Sequence, residues 1–356
     1  MYAVIMAGGE GTRFWPRSRF KHPKQLLQII ADKTMLQSTV ERLDSVVDVN
    51  HTYIVSTQVI KDEIKRQIPF LKPENLIIEP KGKNTAPCIG LAAVMIKKLD
   101  PDAVIAVLPA DHHIAEVNKF RQILKAAEKV AKEDDRLVTI GINPTYPSTG
   151  YGYIQFNGEI EKIDDIPVYK VKTFAEKPDI NTARRFIKSG DFLWNSGIFV
   201  WSVKTILGEI EESLPELYDG LVEIEKALGT KSQDDIINKI YCQIKSISID
   251  YGVMEHARNV AVLKGDFGWS DVGTWEEVYQ LSQKDENDNV VNSPNFLMDT
   301  AECMIDVPDK FVAAIGVNNL IVVETKDALL ICNRDNAQNV KDIVEAMKRK
   351  ELKKHL

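Results

Sequence analysis

The chain has 356 residues, 44% of them hydrophobic and 27% charged, with a formal net charge of −7. This length and mixture support a large core and a second, smaller unit, while the acidic surplus argues against a nucleic-acid-binding surface and means that cations for any anionic substrate must be concentrated locally. No stretch approaches membrane-spanning length, and the N-terminus lacks a basic region, a signal-length apolar segment and a cleavage site, so a cytoplasmic protein with no membrane partner is expected.

The first apolar run, Tyr2-Ala-Val-Ile-Met6, predicts a buried strand. It opens into Gly8, Gly9 and Gly11, three glycines in four positions, followed by Thr12, Arg13 and the pair Pro23-Lys24. Such a turn brings backbone N–H groups close to an anion, and Arg13 and Lys24 add fixed positive charge beside it. The economical reading is a polyphosphate cradle. A glycine turn alone also joins strand to helix in many α/β proteins; Arg13 and Lys24 tilt the balance. No Walker string G-x-x-x-x-G-K-[ST] occurs, and Phe14 stands where a dinucleotide fingerprint needs its third glycine.

Further β-branched runs follow at Thr52–Ser56, Asn75–Glu79, Ala103–Leu108 and Arg136–Ile140, with helical spacing between them, as in Phe120, Ile123, Leu124, Ala127 and Val130. This alternation predicts an α/β fold: a mostly parallel sheet flanked by helices, with ligands beyond the carboxyl ends of the strands. From Tyr151 the texture changes to aromatic-rich strands at Tyr151–Phe156, Val168–Phe174 and Phe192–Trp201. Residues 1–283 are read as one domain in two halves that meet at about residue 150. A polar linker over 284–294 follows, and 295–356 form a small β-rich C-terminal domain. Its strands are expected at Phe311–Ile315, Leu320–Glu324 and Ala328–Cys332, before a helix presenting Val340, Ile343, Val344 and Met347. So few residues bury a modest core, so this domain should pack on the main one or on a second subunit.

Asp111 ends an apolar strand in Leu108-Pro-Ala-Asp-His112, and Asp271 lies in the glycine-flanked loop Phe267–Trp275. Two aspartates brought together would suit magnesium, which takes one or two carboxylates plus phosphate oxygens and water. Either one alone reads equally well as a turn or helix cap. Adjacent His112 and His113 project differently from an extended chain, so one metal rarely takes both, and they are assigned either structural roles or support of the residues that touch the ligand. Cys88, Cys242, Cys303 and Cys332 lack metal-site spacing and are expected to be reduced core thiols.

The string from Gly8 to Pro16, followed by Pro23-Lys24-Gln25, resembles the opening of the sugar-1-phosphate nucleotidyltransferases, and its Phe14-Trp-Pro-Arg-Ser18 variant is similar to the mannose-1-phosphate guanylyltransferase branch. Other strings agree in order: Glu79-Pro with Asn84-Thr-Ala-Pro87, Thr149–Ile154, Phe174-Ala-Glu-Lys-Pro178, Trp194-Asn-Ser-Gly-Ile-Phe199 and Trp269–Trp275. The resemblance implies a Rossmann-like fold of the nucleotide-diphospho-sugar transferase type, with a short left-handed β-helix or sheet at the C-terminus. It implies a nucleotide half to about 150 and a sugar half from 151, catalytic roles for Arg13 and Lys24, and nucleotide binding by these two together with Gly8, Gly9, Gly11, Thr12, Asn84 and Thr85. Gly150, Glu176, Lys177 and Asn195 are implied to bind the sugar phosphate, and Asp111 and Asp271 to hold Mg²⁺. Lys83 departs from the arginine usual there. Ser248–Tyr251 and Val253–Glu255 match without a role that can be derived.

The reaction so implied joins GTP and α-D-mannose 1-phosphate to give GDP-mannose and pyrophosphate, in a homodimer. The rivals are a sibling enzyme using UTP or dTTP with a glucose phosphate, and a catalytically silent nucleotide-sugar sensor. Longer members append an isomerase unit; for a chain of this length isomerase activity is not expected.

Overall fold

A computed structural model describes residues 1–9, 11–133 and 135–356. Contacts divide the chain into two compact units: residues 1–8, 39–110 and 114–269, and residues 9–38, 111–113 and 270–356. Three short elements lie where the chain passes from one unit to the other: α1 (Met35–Glu41), β5 (His113–Ile114) and β11 (Trp269–Ser270).

The first unit is built on a nine-stranded sheet. Its strands are β1 (Tyr2–Met6), β2 (Thr52–Thr57), β3 (Leu76–Glu79), β4 (Val104–Pro109), β6 (Leu137–Ile142), β7 (Tyr153–Ile163), β8 (Ile166–Ala175), β9 (Phe192–Ser202) and β10 (Val260–Gly265), in the order β3-β2-β1-β4-β9-β6-β10-β8-β7. The strands β3, β2, β1 and β4 pair in parallel, as do β6 and β10, whereas β9 and β8 run against their neighbours. The sheet is thus mostly parallel, as the alternation predicts. β1 and β4 are buried at successive residues and hence on both faces, which explains why they read as continuous apolar runs. The turn between β7 and β8 is Asp164-Asp165, both at positive φ (50° and 65°), the backbone hand that matches the twist of a tight hairpin.

The helices are α2 (Lys61–Gln67), α3 (Thr85–Leu99), α4 (Val117–Glu133), α5 (Ile180–Ser189), α6 (Val203–Ser213), α7 (Pro215–Ala227) and α8 (Gln233–Gln243). In α4 the periodic residues Phe120, Ile123, Leu124, Ala127 and Val130 are all buried, and the helix packs along β4, β6, β9 and β10. Val4, Ile105, Val107, Phe199 and Trp201 join side chains of α3, α6, α7 and α8 in one core. Local caps fix the ends: Asp179 accepts from the amides of Asn181 and Thr182 to start α5, and Gly190 closes it at φ 77°.

In the second unit α9 (Trp275–Leu281) precedes six short strands, β12 (Val290–Asn292), β13 (Asn295–Met298), β14 (Met304–Asp306), β15 (Val312–Ile315), β16 (Leu320–Thr325) and β17 (Ala328–Asn333), and then α10 (Val340–Arg349). β12, β14 and β16 stack in parallel register and β13 pairs in parallel with β15, the pattern of successive coils of a β-helix; β17 folds back antiparallel on β16. The segment 9–38 belongs to this unit. Phe14, Trp15 and Met35 share a core with Trp275, Ile321, Val323, Leu330, Val340 and Val344. Trp15 donates through Nε1 to the His355 carbonyl at 2.8 Å, and Arg17 and Arg19 pair with Asp306 at 2.5 Å and Asp327 at 3.0 Å. All four cysteines are free; Cys88 and Cys303 are buried, but Cys242 is exposed on α8, contrary to the core placement expected for it.

Candidate active site

Of the three glycines in the loop, only Gly11 is described at positive φ, 60°. A Cβ there would lie 2.4 Å from Cβ of Lys24, so glycine is what lets the turn close against the lysine. A Cβ on Gly9 would meet nothing within 4 Å, and one on Gly8 would meet only a Glu79 oxygen at 3.9 Å, which leaves the backbone there open to a ligand. Gln25 donates through Nε2 to the Gly9 carbonyl at 3.1 Å and fixes the loop.

Lys24 is 4% exposed, and its ammonium donates to Oδ2 of Asp111 at 2.9 Å and to the Asp271 carbonyl at 2.6 Å. Two of its three N–H bonds are thereby aimed. Burial works against the charge on Asp111, but Lys24 and His112 together hold its carboxyl below the usual range. Arg13, Lys24, Asp111 and Asp271 line one cleft of about 300 Å³ with Gly11 and Thr12. Arg13 presents a buried Nε with no hydrogen-bond partner among the described residues, an orphan donor in a place suited to an anion.

The loop bearing Asp271 is held by the helix it leads into. Thr274 caps α9 in a capping box, with Oε2 of Glu277 accepting the Thr274 amide at 2.7 Å. Burial, then the neighbouring Asp271, pushes the Glu277 carboxyl up. Among the described residues no group of three or more His, Cys, Asp or Glu forms a metal cage. Two carboxylates of hard oxygen donors on one cleft nevertheless fit magnesium, which completes its shell with phosphate oxygens and water.

The other expected residues lie in the first unit and form a second cluster. Glu176, at the end of β8, pairs with Lys177 at 2.7 Å, and Lys177 itself is held at φ 45°. Asn195 on β9 donates through Nδ2 to Asp250 at 2.8 Å and accepts the Gly197 amide through Oδ1 at 3.0 Å, leaving one N–H for another partner. Burial and then Glu176 push the Asp250 carboxyl up to about 6. A Cβ on Gly152 would lie 2.4 Å from a Glu176 oxygen, so Gly152 is the glycine that makes room for the cluster, whereas Gly150 is an exposed loop residue whose amide donates to Ser148 Oγ. Asp250 lies in the segment Ser248–Tyr251 that sequence reasoning left without a role.

Asn84 caps α3 at φ 69°, its Oδ1 accepting the Thr85 amide, and Thr85 Oγ1 accepts the Ile249 amide at 2.8 Å. Lys83 donates to the Ile244 carbonyl at 2.9 Å, so these residues fasten α3 to the 244–249 segment. His22 is exposed, and His112 lines the cleft of Lys24.

Fold and site together define a nucleotidyltransferase, and the comparisons agree. A family model described as nucleotidyl transferase matches residues 2–288, and one described as MannoseP isomerase/GMP-like beta-helix domain matches 293–347. The chain is 38% identical over 362 residues to a mannose-1-phosphate guanylyltransferase of Escherichia coli, covering 99% of this chain and 77% of that protein. It is 41% identical over 360 residues to the mannose-1-phosphate guanylyltransferase RfbM of Salmonella typhimurium, covering 97% and 72%. The crystal structure of mannose-1-phosphate geranyltransferase from Thermus thermophilus matches with a TM-score of 0.87 at 31% identity, over 98% of this chain and 99% of that one. The chain belongs to the nucleotidyl transferase family, among relatives named mannose-1-phosphate guanylyltransferase.

Proposed function

We propose that the protein transfers GMP from GTP to α-D-mannose 1-phosphate, releasing pyrophosphate and forming GDP-mannose. The observation that carries this reading is the fixed ammonium of Lys24, held by Asp111 and the Asp271 carbonyl on a cleft shared with Arg13. The names of the relatives support the choice of substrates.

The attacking group, a sugar phosphate oxygen, is already anionic near neutrality because a phosphomonoester has its second pKa at about 6. No general base is required. The protein's task is to hold two mutually repelling anions and to stabilise charge on the α-phosphoryl oxygens and the departing pyrophosphate. Amides of Gly8, Gly9, Gly11 and Thr12 surround the nucleotide phosphates, while Arg13 and the last N–H of Lys24 face the oxygens on which charge develops. Asn84 and Thr85 border the nucleotide. Lys177 exchanges part of its pairing with Glu176 for the sugar phosphate, and Glu176 and the remaining N–H of Asn195 bind ring hydroxyls beside the Gly150 loop. Asp111 and Asp271 are the residues that would hold magnesium, which when bound neutralises phosphoryl charge. The same reading extends to a cytoplasmic homodimer.

The test crosses GTP, ATP, UTP, CTP and dTTP with mannose 1-phosphate, glucose 1-phosphate and their N-acetyl analogues, following pyrophosphate release with magnesium. GTP with mannose 1-phosphate is expected to be preferred. A preference for UTP or dTTP would overturn the base assignment, and no release from any pair would overturn the activity.

A further inference from the structure

The cleft of Lys24 has one lining side chain to which no sequence motif points. Lys341, on α10, borders it together with Thr12, Arg13, Lys24, Asp111 and Asp271. It is exposed and forms no hydrogen bond or ion pair among the described residues. Its position follows from the helix. Val340 and Val344 are buried with Phe14, Trp15 and Trp275, and α10 packs on the turn Thr12–Phe14. The next residue after Val340 stands about 100° round the helix, at the border of that packed face, where a long side chain can reach the cleft while its stem covers apolar surface.

Charge gives the lysine a purpose. Arg13 and Lys24 share the region with the carboxylates of Asp111, Asp271 and Glu277, and Lys24 is already engaged by Asp111. A triphosphate, or the pyrophosphate it releases, brings several further negative charges, so an additional cation with no partner to give up is what the site lacks.

We propose that Lys341 is a pyrophosphate-binding residue: its ammonium holds the β- and γ-phosphoryl oxygens of the nucleotide before transfer and pyrophosphate after it. The C-terminal helix thereby supplies a substrate contact in addition to packing. The inference rests on the reading above only for the identity of the nucleotide; a polyphosphate ligand suffices for the contact.

The test is calorimetric titration of inorganic pyrophosphate with magnesium into the full chain, the variants Lys341→Met and Lys341→Arg, and the control Lys350→Ala just beyond the same helix. Methionine keeps the stem and its packing while removing the charge. Lys341→Met should weaken pyrophosphate binding roughly 10- to 100-fold, the range for a lost charge-assisted hydrogen bond, with Lys341→Arg restoring most of it and Lys350→Ala unchanged. In the reverse reaction the KM for pyrophosphate should rise while that for GDP-mannose stays constant. Parental affinity in Lys341→Met, an equal loss in Lys350→Ala, or no binding by the parent would overturn the proposal. A parent that binds pyrophosphate through Lys341 yet turns over no GDP-mannose would instead refute the proposed reaction and leave this contact standing.

Discussion

Lys24 is buried, aimed by two acceptors and close against Gly11, so it is placed before any ligand arrives. Lys24→Ala should lower turnover on the order of 10²–10³, the loss typical of a preorganised donor that acts on developing charge; steady-state rates with saturating nucleotide check this, and near-parental turnover would remove Lys24 from the chemistry. Lys177→Ala should raise the KM for sugar phosphate far more than that for nucleotide, since its pairing lies wholly within the cluster of Glu176, Asn195 and Asp250; equal rises would mean a structural role. Glu79, 3% exposed with Oε1 unpartnered among the described residues, makes a different prediction. Burial pushes its carboxyl up to about 7 from an ordinary 4.5. Between those values the folded chain keeps a proton that the unfolded chain has lost, so stability falls as pH rises through that window and the deficit is complete above it. Glu79→Gln should therefore gain stability at pH 8, on the order of 3 kcal/mol at most, and nothing at pH 4. Melting curves at the two pH values decide; a gain of equal size at both would assign the effect to packing instead.

At the scale of elements, the loop of Asp271 depends on the first turn of α9. Thr274→Ala removes the cap and should cost about 1 kcal/mol, a melting shift of a few degrees, while raising the magnesium concentration needed for half-activation because Asp271 loses its support. A lowered melting temperature with an unchanged magnesium curve would separate the cap from the site. Elements were legible where period and burial agree, as in β1, β4 and α4, whose apolar residues are those the core takes up. The Lys24, Asp111 and Asp271 grouping was legible only through family strings, because their spacing along the chain carries no geometric information. Asp250 could have been suspected from its matched string, but its role depends on the Asn195 amide, a contact across 55 residues. Lys341 carried no signal: it is one lysine of an amphipathic helix, and only tertiary packing distinguishes it from its neighbours.

The whole molecule divides differently from the order of its sequence. The compact unit that holds the C-terminal strands also holds residues 9–38 and 111–113, which lie far from them in sequence. The glycine-rich loop leans on the C-terminal strands through Phe14, Trp15, Arg17 and Arg19. Deleting residues 290–356 should thus abolish nucleotide binding while the β-sheet of the first unit still folds; fluorescence titration with GTP and circular dichroism check this, and a truncated chain that binds like the parent would sink it. The pairing of Trp15 with His355 spans 340 residues, which bears on how the protein is made. At roughly 5–20 residues per second of synthesis, the loop emerges tens of seconds before the partners that shape it. A nascent chain therefore has its first strand and glycine-rich loop waiting, with Phe14 and Trp15 unburied, until the residues around Val340 and His355 have been made. Contacts of such long sequence separation slow folding and prolong exposure of sticky surface, and a chain stalled within the last coils still lacks the side chains that cover Phe14 and Trp15.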